Sequence, residues 1–364
     1  MKSSHSLAAA AVAALAGCQA APMPPDPTGR ADADMLRVLT AFQASGAKPI
    51  TGLTVEQARS QPTPGDAAAT VAQQMGVPAK QPVAKVTDIM VDGAAGPIPA
   101  RVYDPQMSHG PAPVILYFHG GGWVTGNLDT YDASDRELAN GTGAIVVSVQ
   151  YRLGPENKFP ASQDDADKSY NWLLKNAGSI GADPKQVALA GESAGGNLAI
   201  DTAIWARDTH LPMPVHELLV YPVAGTDTST PSYKETTNAV PLNRAAIQWY
   251  VEHYTTGLAD LKDSRLNVVG SADLHGLPPT TIVSAEIDPL RSEGEALAQK
   301  LQAAGVQVQQ RTFPGVTHEF FGMGAVVGQA KQAEDFAAMR LKASFNQPAT
   351  PPQPGRHTAR RHAS

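Results

Sequence analysis

The sequence predicts an α/β fold, a mainly parallel central sheet flanked by helices. Three observations carry the prediction. Short, wholly apolar runs recur along the chain, helix-periodic stretches stand between several of them, and Gly191-Glu192-Ser193-Ala194-Gly195 falls where one run, Val187 to Ala190, gives way to a helical stretch. A continuous apolar run suits a strand covered by helices on both faces, as in a parallel sheet. Strands alternating with helices then imply right-handed crossovers.

The elements follow in order. Residues 1–20 carry one early cation, Lys2, and a short apolar run from Leu7 to Gly17, too brief for a transmembrane helix and suited to a secretory signal. The run ends in Leu15-Ala16-Gly17-Cys18, which resembles the lipobox of bacterial lipoproteins, where the cysteine receives lipid and becomes the mature amino terminus. Ordinary cleavage after Ala16 is the alternative, and either reading exports the protein. Residues 21–33, Pro- and Asp-rich, read as an extended linker, tether-like to about Arg30.

Helices are expected from Asp34 to Ser45, with Met35, Leu36, Val38, Leu39 and Phe42 on one face, from Thr54 to Ser60, and from Asp66 to Met75. They precede the first strand, so they either form part of a cap or pack on the sheet edge. Lys85 to Val91 and Ile98 to Tyr103, separated by Asp92-Gly93-Ala94-Ala95-Gly96, read as a hairpin. Buried strands are expected at 114–118, 144–149, 187–190, 218–221 and 280–285, and helices at 161–176, 194–209 and 292–304. Thr226 to Asp273 breaks the alternation and includes a helical stretch from Asn243 to Tyr254, so it reads as an insertion over the strand ends. The α/β domain thus covers 34–346, with cap elements at about 34–80 and 226–273. Residues 347–364, rich in Pro and Arg, cannot build a core and read as a disordered tail.

Composition narrows the function. A chain of 364 residues with 42% hydrophobic content can bury a sizeable core, and a net charge of -6 argues against a dedicated nucleic-acid binder. The sole cysteine, Cys18, excludes an internal disulfide or a cysteine-ligated metal site within one chain.

The Gly-x-Ser-x-Gly run has the spacing of a nucleophile elbow. A serine hydroxyl becomes a useful nucleophile only when exposed on a tight turn, beside a base and opposite hydrogen-bond donors. The base needs an orienting carboxylate, each arriving after a strand in the order serine, acid, histidine. The strand at 280–285 leads to Asp288, and a β run ending at Phe313 leads to His318. Glu286 is the second candidate acid, but it precedes the strand-end turn. Among ten histidines only His318 follows the last strand after a suitable acid; His109, His210, His216 and His275 are expected in loops or at strand edges, and His253 on the cap helix. His119-Gly120-Gly121-Gly122-Trp123 follows the buried strand ending at Phe118 and matches a glycine-rich oxyanion loop. The expected donors are the N–H groups of Gly121, Gly122 and Ala194. Trp123, Trp249 and Tyr250 are candidates to line an acyl pocket, although in sequence core packing looks the same.

Together these pieces resemble the hormone-sensitive-lipase-like branch of the α/β-hydrolases, the bacterial family IV carboxylesterases. The resemblance rests on residues 119–122, Tyr151-Arg152-Leu153 with Pro155-Glu156, Phe159-Pro160-Ala161, the elbow with Gly196, Gly276-Leu277-Pro278-Pro279, Asp288-Pro289-Leu290-Arg291 and His318 with Phe320. It covers about residues 85 to 322. It implies a cap, no metal or organic cofactor, and short- to medium-chain acyl esters as substrates, hydrolysed through an acyl-enzyme. An amide, a lactone or an alternative acyl acceptor would suit the same machinery, and a ligand-binding surface lipoprotein without turnover is the competing class. Membrane attachment through lipidated Cys18 would place the enzyme in the bacterial envelope. Glu192, Gly154, Arg265, Ser292 and Glu319 depart from the family pattern, which more usually has Asp, Ala, Pro, Asp and Gly there. Glu319, beside His318, would raise the histidine's pKa if it pointed inward, but the expectation is a solvated carboxylate. Activity is expected to fall as His318 protonates, near its unperturbed value of about 6.5 unless neighbours shift it.

Overall fold

A computed structural model describes residues 24–106 and 110–345; Cys18, His109 and the tail lie outside them. Eight strands form one sheet: β1 (Lys85–Gly93), β2 (Gly96–Asp104), β3 (Ala112–Phe118), β4 (Ile145–Val149), β5 (Ala182–Glu192), β6 (His216–Val220), β7 (Thr280–Ile287) and β8 (Val308–Thr317). Their spatial order is β1-β2-β4-β3-β5-β6-β7-β8. The β1–β2 hairpin and the β2–β4 pair are antiparallel, and every pair from β4 to β8 is parallel. β3 is wholly apolar and β4 is apolar but for the buried Ser148, whereas β1, at the edge, leaves most of its residues exposed.

The helices are α1 (Ala33–Ala44), α2 (Val55–Ser60), α3 (Pro64–Met75), α4 (Asp132–Thr142), α5 (Ala161–Asn176), α6 (Ala194–Asp208), α7 (Pro231–Glu235), α8 (Arg244–Tyr254), α9 (Val268–Ser271), α10 (Arg291–Ala303) and α11 (Gly328–Phe345). Alternate strand residues face opposite layers. Leu116, Val147, Leu189 and Ile282 pack against Tyr170 of α5, Leu198 of α6 and Leu297 of α10. Ile115, Val146, Leu218 and Val283 join a second cluster with Leu138 of α4 and Leu341 of α11.

The N-terminal helices divide between these layers. Met35, Val38 and Leu39 of α1 and Val71 of α3 belong to the second cluster, so these two helices extend the helical layer. Thr54 and Thr63 cap α2 and α3 through reciprocal capping boxes. Helix α2 buries Ala58 in the first cluster, and its Arg59 donates to Val124 O (2.9 Å) and Gly154 O (2.7 Å). The tether expected up to Arg30 is cut short by specific bonds. Arg30 pairs with Glu286 at 2.8 Å, and the Asp32 N–H donates to Gly315 O at 2.8 Å, which ties this segment to the ends of β7 and β8.

Four helices have no counterpart in the sequence reading: the short α7 and α9 within the insertion, and the longer α4 and α11. Helix α4 buries Asp132, Ser134 and Asp135 beside Leu138, so its buried face is not apolar. Helix α11 buries mostly alanine, which gives weak contrast between faces. His216, expected in a loop or at a strand edge, is fully buried in β6, where its ring bridges the hydroxyls of Thr281 and Ser344, both at 2.9 Å. The surrounding interior strands leave it no edge to occupy.

Candidate active site

Ser193 stands between β5 and α6 with φ 55° and ψ -117°, the left-handed half of the map that a non-glycine residue rarely occupies. The turn is held by its N–H donating to Val220 O at 2.9 Å. It is also close to another backbone: a Cβ on Gly195 would lie 1.9 Å from Phe118 O. Only glycine lets the elbow approach the end of β3 this closely. The tightness exposes Oγ at the carboxyl ends of the strands, although the residue as a whole is 5% accessible.

The candidate base and acid stand at the ends of β8 and β7. His318 Nε2 lies 2.9 Å from Ser193 Oγ, and His318 Nδ1 lies 2.7 Å from Asp288 Oδ2. The other carboxylate oxygen of Asp288 accepts the Leu290 N–H at 2.8 Å, which fixes the carboxylate. The Tyr221 ring packs on the imidazole with centroids 4.4 Å apart. Burial opposes charge on His318, but the carboxylates of Asp288, Glu319 and Glu192 outweigh it and hold the imidazole above its ordinary 6.5. Glu286 faces elsewhere, towards Arg30 and the Gly315 N–H.

The loop after β3 turns sharply through Gly121 (φ 93°), Gly122 (φ 57°) and Trp123 (φ 58°). A Cβ on Gly122 would strike the Tyr250 ring at 2.4 Å. Among the described residues, the N–H groups of Gly121 and Gly122 make no hydrogen bond. Ala194 opens α6, so its N–H has no partner within the helix and lies at the positive end of the helix dipole. His119 braces the loop as a neutral ring: burial pushes it down to about 4, and Nδ1 bonds Gly120 O at 2.8 Å. A cavity of about 1290 Å³ opens in front of these groups; Ser193, His318, Gly121, Gly122 and Tyr250 line it, and Pro24 and Pro25 stand on its wall.

Residues 115–322 match the family described as alpha/beta hydrolase fold. The chain belongs to the α/β-hydrolase family. It falls in the hormone-sensitive-lipase-like branch. Carboxylesterase NlhH of Mycobacterium tuberculosis is 42% identical over 253 residues, 68% of this chain and 79% of that protein. Ethyl acetate hydrolase of Pseudomonas putida is 35% identical over 239 residues, 65% of this chain and 75% of its own. Among solved structures, a hyperthermophilic esterase from the archaeon Pyrobaculum calidifontis superposes with TM-score 0.74 at 36% identity, covering 80% of this chain and 94% of that one. A thermostable esterase from Pseudomonas putida gives TM-score 0.79 at 31% identity, covering 88% and 99%.

Two side chains of this hydrolase depart from the sequence expectation. Trp249 does not line the cavity: α8 turns it into the core, where its ring meets His253 at 4.1 Å and Tyr250 at 5.3 Å. Trp123 does reach the cavity while stacking on Tyr254, with centroids 4.9 Å apart. Glu319 is only partly solvated, its side chain keeping 21% of its accessible surface where it faces the cavity. At φ 68° its side chain turns into the site, where the Tyr131 hydroxyl lies 2.9 Å from both carboxylate oxygens and Oε1 stands 3.8 Å from His318 Nε2.

The structure also brings in residues that sequence reasoning did not select. Glu192 of the elbow accepts hydrogen bonds from the hydroxyls of Tyr117 and Tyr221, and burial pushes it up to about 7 against those bonds. Tyr131 and Tyr221 lie in separate connections, and neither carries a local signal beyond being aromatic. Glu192 and Glu319 had one, as departures from the family pattern.

Proposed function

We propose that this hydrolase cleaves carboxylic esters of short- to medium-chain acids through an acyl-enzyme on Ser193. The supporting observation is the unbroken line from Ser193 Oγ to His318 Nε2 (2.9 Å) and from His318 Nδ1 to Asp288 Oδ2 (2.7 Å). His318 takes the Ser193 proton as Oγ attacks the ester carbonyl, then gives it to the departing alkoxide. Asp288 keeps the remaining proton on Nδ1 and stabilises the imidazolium. The N–H groups of Gly121, Gly122 and Ala194 hold the oxyanion, a role in which each donor contributes about 3 kcal/mol or more to transition-state stabilisation. Water then attacks the acyl carbonyl by the same route in reverse. No metal or organic cofactor enters this scheme.

The acyl group has an apolar wall to meet. Ile50, Leu242, Ile247, Val251 and Leu266 line the cavity beside Ser193. We read the segment around α2 and the insertion carrying α8 as the cap, since both contribute to that wall. Export, with lipidation of Cys18, belongs to the same proposal and is checked by mass spectrometry of the mature amino terminus. The decisive assay is turnover of a short-chain aryl ester by purified protein. Ser193→Ala is expected to abolish it, and wild-type activity no better than the variant's would reject the enzyme reading.

A further inference from the structure

We propose that the Glu319 carboxylate, held by Tyr131 and facing His318 Nε2, positions the water that releases the acyl group and thereby favours hydrolysis over transfer to alcohols. The inference rests on the reading of Ser193 as the nucleophile.

The geometry gives His318 a carboxylate near each ring nitrogen. Asp288 is in direct contact with Nδ1 at 2.7 Å, whereas Glu319 Oε1 stands 3.8 Å from Nε2, too far for a hydrogen bond. That gap suits a shared partner: one oxygen atom can sit about 2.8 Å from both Nε2 and Oε1. Ser193, His318 and Glu319 all line the same cavity, so such an oxygen can arrive from the substrate side. The Tyr131 hydroxyl, 2.9 Å from each Glu319 oxygen, fixes the carboxylate in place. The backbone at φ 68° costs a non-glycine residue roughly 1 kcal/mol or more. A glycine would remove that strain, and it would also remove the carboxylate.

Water and an alcohol differ in the proton that Glu319 would receive. During deacylation, the attacking oxygen forms a bond to the acyl carbonyl carbon and passes one proton to His318 Nε2. The tetrahedral intermediate then collapses: the bond from carbon to Ser193 Oγ breaks, Oγ recovers the proton from Nε2, and the carboxylic acid leaves. Water has a second O–H, which Glu319 accepts. An alcohol has spent its single O–H on His318 and presents carbon to the carboxylate instead. The contact therefore orders water and gives an alcohol nothing.

The test follows the fate of one acyl-enzyme. Wild type, Glu319→Gly and Tyr131→Phe are supplied with an aryl acetate in buffer containing a fixed concentration of methanol, and methyl acetate is quantified against acetic acid. Glu319→Gly should raise the ester-to-acid ratio by about tenfold, the size of losing one hydrogen bond to a charged acceptor. Tyr131→Phe, which leaves the carboxylate but loosens it, should move the ratio in the same direction by less. A general disturbance of the fold would lower both products together. Ratios within twofold of wild type in both variants overturn the inference, even where total turnover drops. If Ser193→Ala retains turnover, the acyl-enzyme reading itself falls, an outcome separate from an unchanged ratio with Ser193→Ala inactive.

Discussion

Replacing Gly195 by alanine sets two physical effects of opposite sign against each other. Gly195 lies in the first turn of α6. Helix propensity alone favours alanine over glycine by about 1 kcal/mol, so an elbow with ordinary room would be stabilised. The structure predicts the reverse. The new Cβ would stand 1.9 Å from Phe118 O and 2.5 Å from His119 O, both backbone atoms that cannot rotate away. An unstrained carbon-to-oxygen contact is about 3.3 Å, so the elbow and the end of β3 must part by about 1.4 Å. Overpacking of this kind costs about 1–3 kcal/mol. The catalytic penalty should be larger, because the displaced segment leads directly into the Gly121-Gly122 donors, and a misplacement of about 1 Å can cost about a hundredfold in rate. Thermal unfolding and kcat on a short-chain aryl ester, measured together, decide it. Gly178→Ala is the control, since a Cβ there meets nothing within 4 Å. If Gly195→Ala raises Tm and keeps kcat within a factor of about two, the close-approach reasoning is wrong.

Three further outcomes are expected. His318 must be neutral to act as base and its pKa is raised, so kcat/KM should fall as pH drops through a value above 6.5. The groups facing it are Asp288, Glu319, Glu192 and the Tyr221 ring, and Glu319→Gln should move that acid limb to lower pH; a pH profile identical to wild type would count against the assignment. Asp288→Asn should lower kcat by about four orders of magnitude with little change in Tm, while Glu286→Gln, a change at the Arg30 contact, should alter kcat by less than about threefold. Glu217 in β6 accepts a hydrogen bond from Thr280 at 2.9 Å, and burial pushes its carboxyl up to about 8. The folded protein therefore keeps that proton after the unfolded chain has lost it, and this group's contribution declines as pH rises from about 4.5 to about 8. Glu217→Gln has no proton to lose, so urea unfolding should show it gaining about 1 kcal/mol or more over wild type at pH 9 relative to pH 4.5.

How far the fold could be read from sequence depended on whether the signal was local. The runs at 114–118 and 187–190 announced buried strands because covering both faces of a parallel strand leaves no position for a polar side chain. The elbow and its partners were legible for a related reason: Ser193, Asp288 and His318 each follow a strand, so chain order alone restricts where they can meet. Helix α4 escaped because its buried face carries Asp132 and Asp135, with Asp132 paired to Lys80 and Arg136. Helix α11 escaped because alanine at 330, 333 and 337 packs well without making a hydrophobic stripe. The inward turn of Glu319 was missed because its direction is set by the local φ and by Tyr131, a residue 188 positions earlier. Trp249 and Tyr250 are neighbours on α8, and only the packed structure separates one that faces the core from one that faces the cavity.

Pro24 and Pro25 stand on the wall of the cavity that Ser193 lines. Cys18 precedes Pro24 by six positions, which bounds the chain between them to about 20 Å. On the proposed lipidation of Cys18, the lipid would be a short leash close to the mouth, which would keep the cavity near the bilayer surface. The ester pool such an enzyme samples would then be set by partitioning into lipid as much as by concentration in water. A soluble form released from that leash would differ from the anchored one in KM for apolar esters while sharing its kcat.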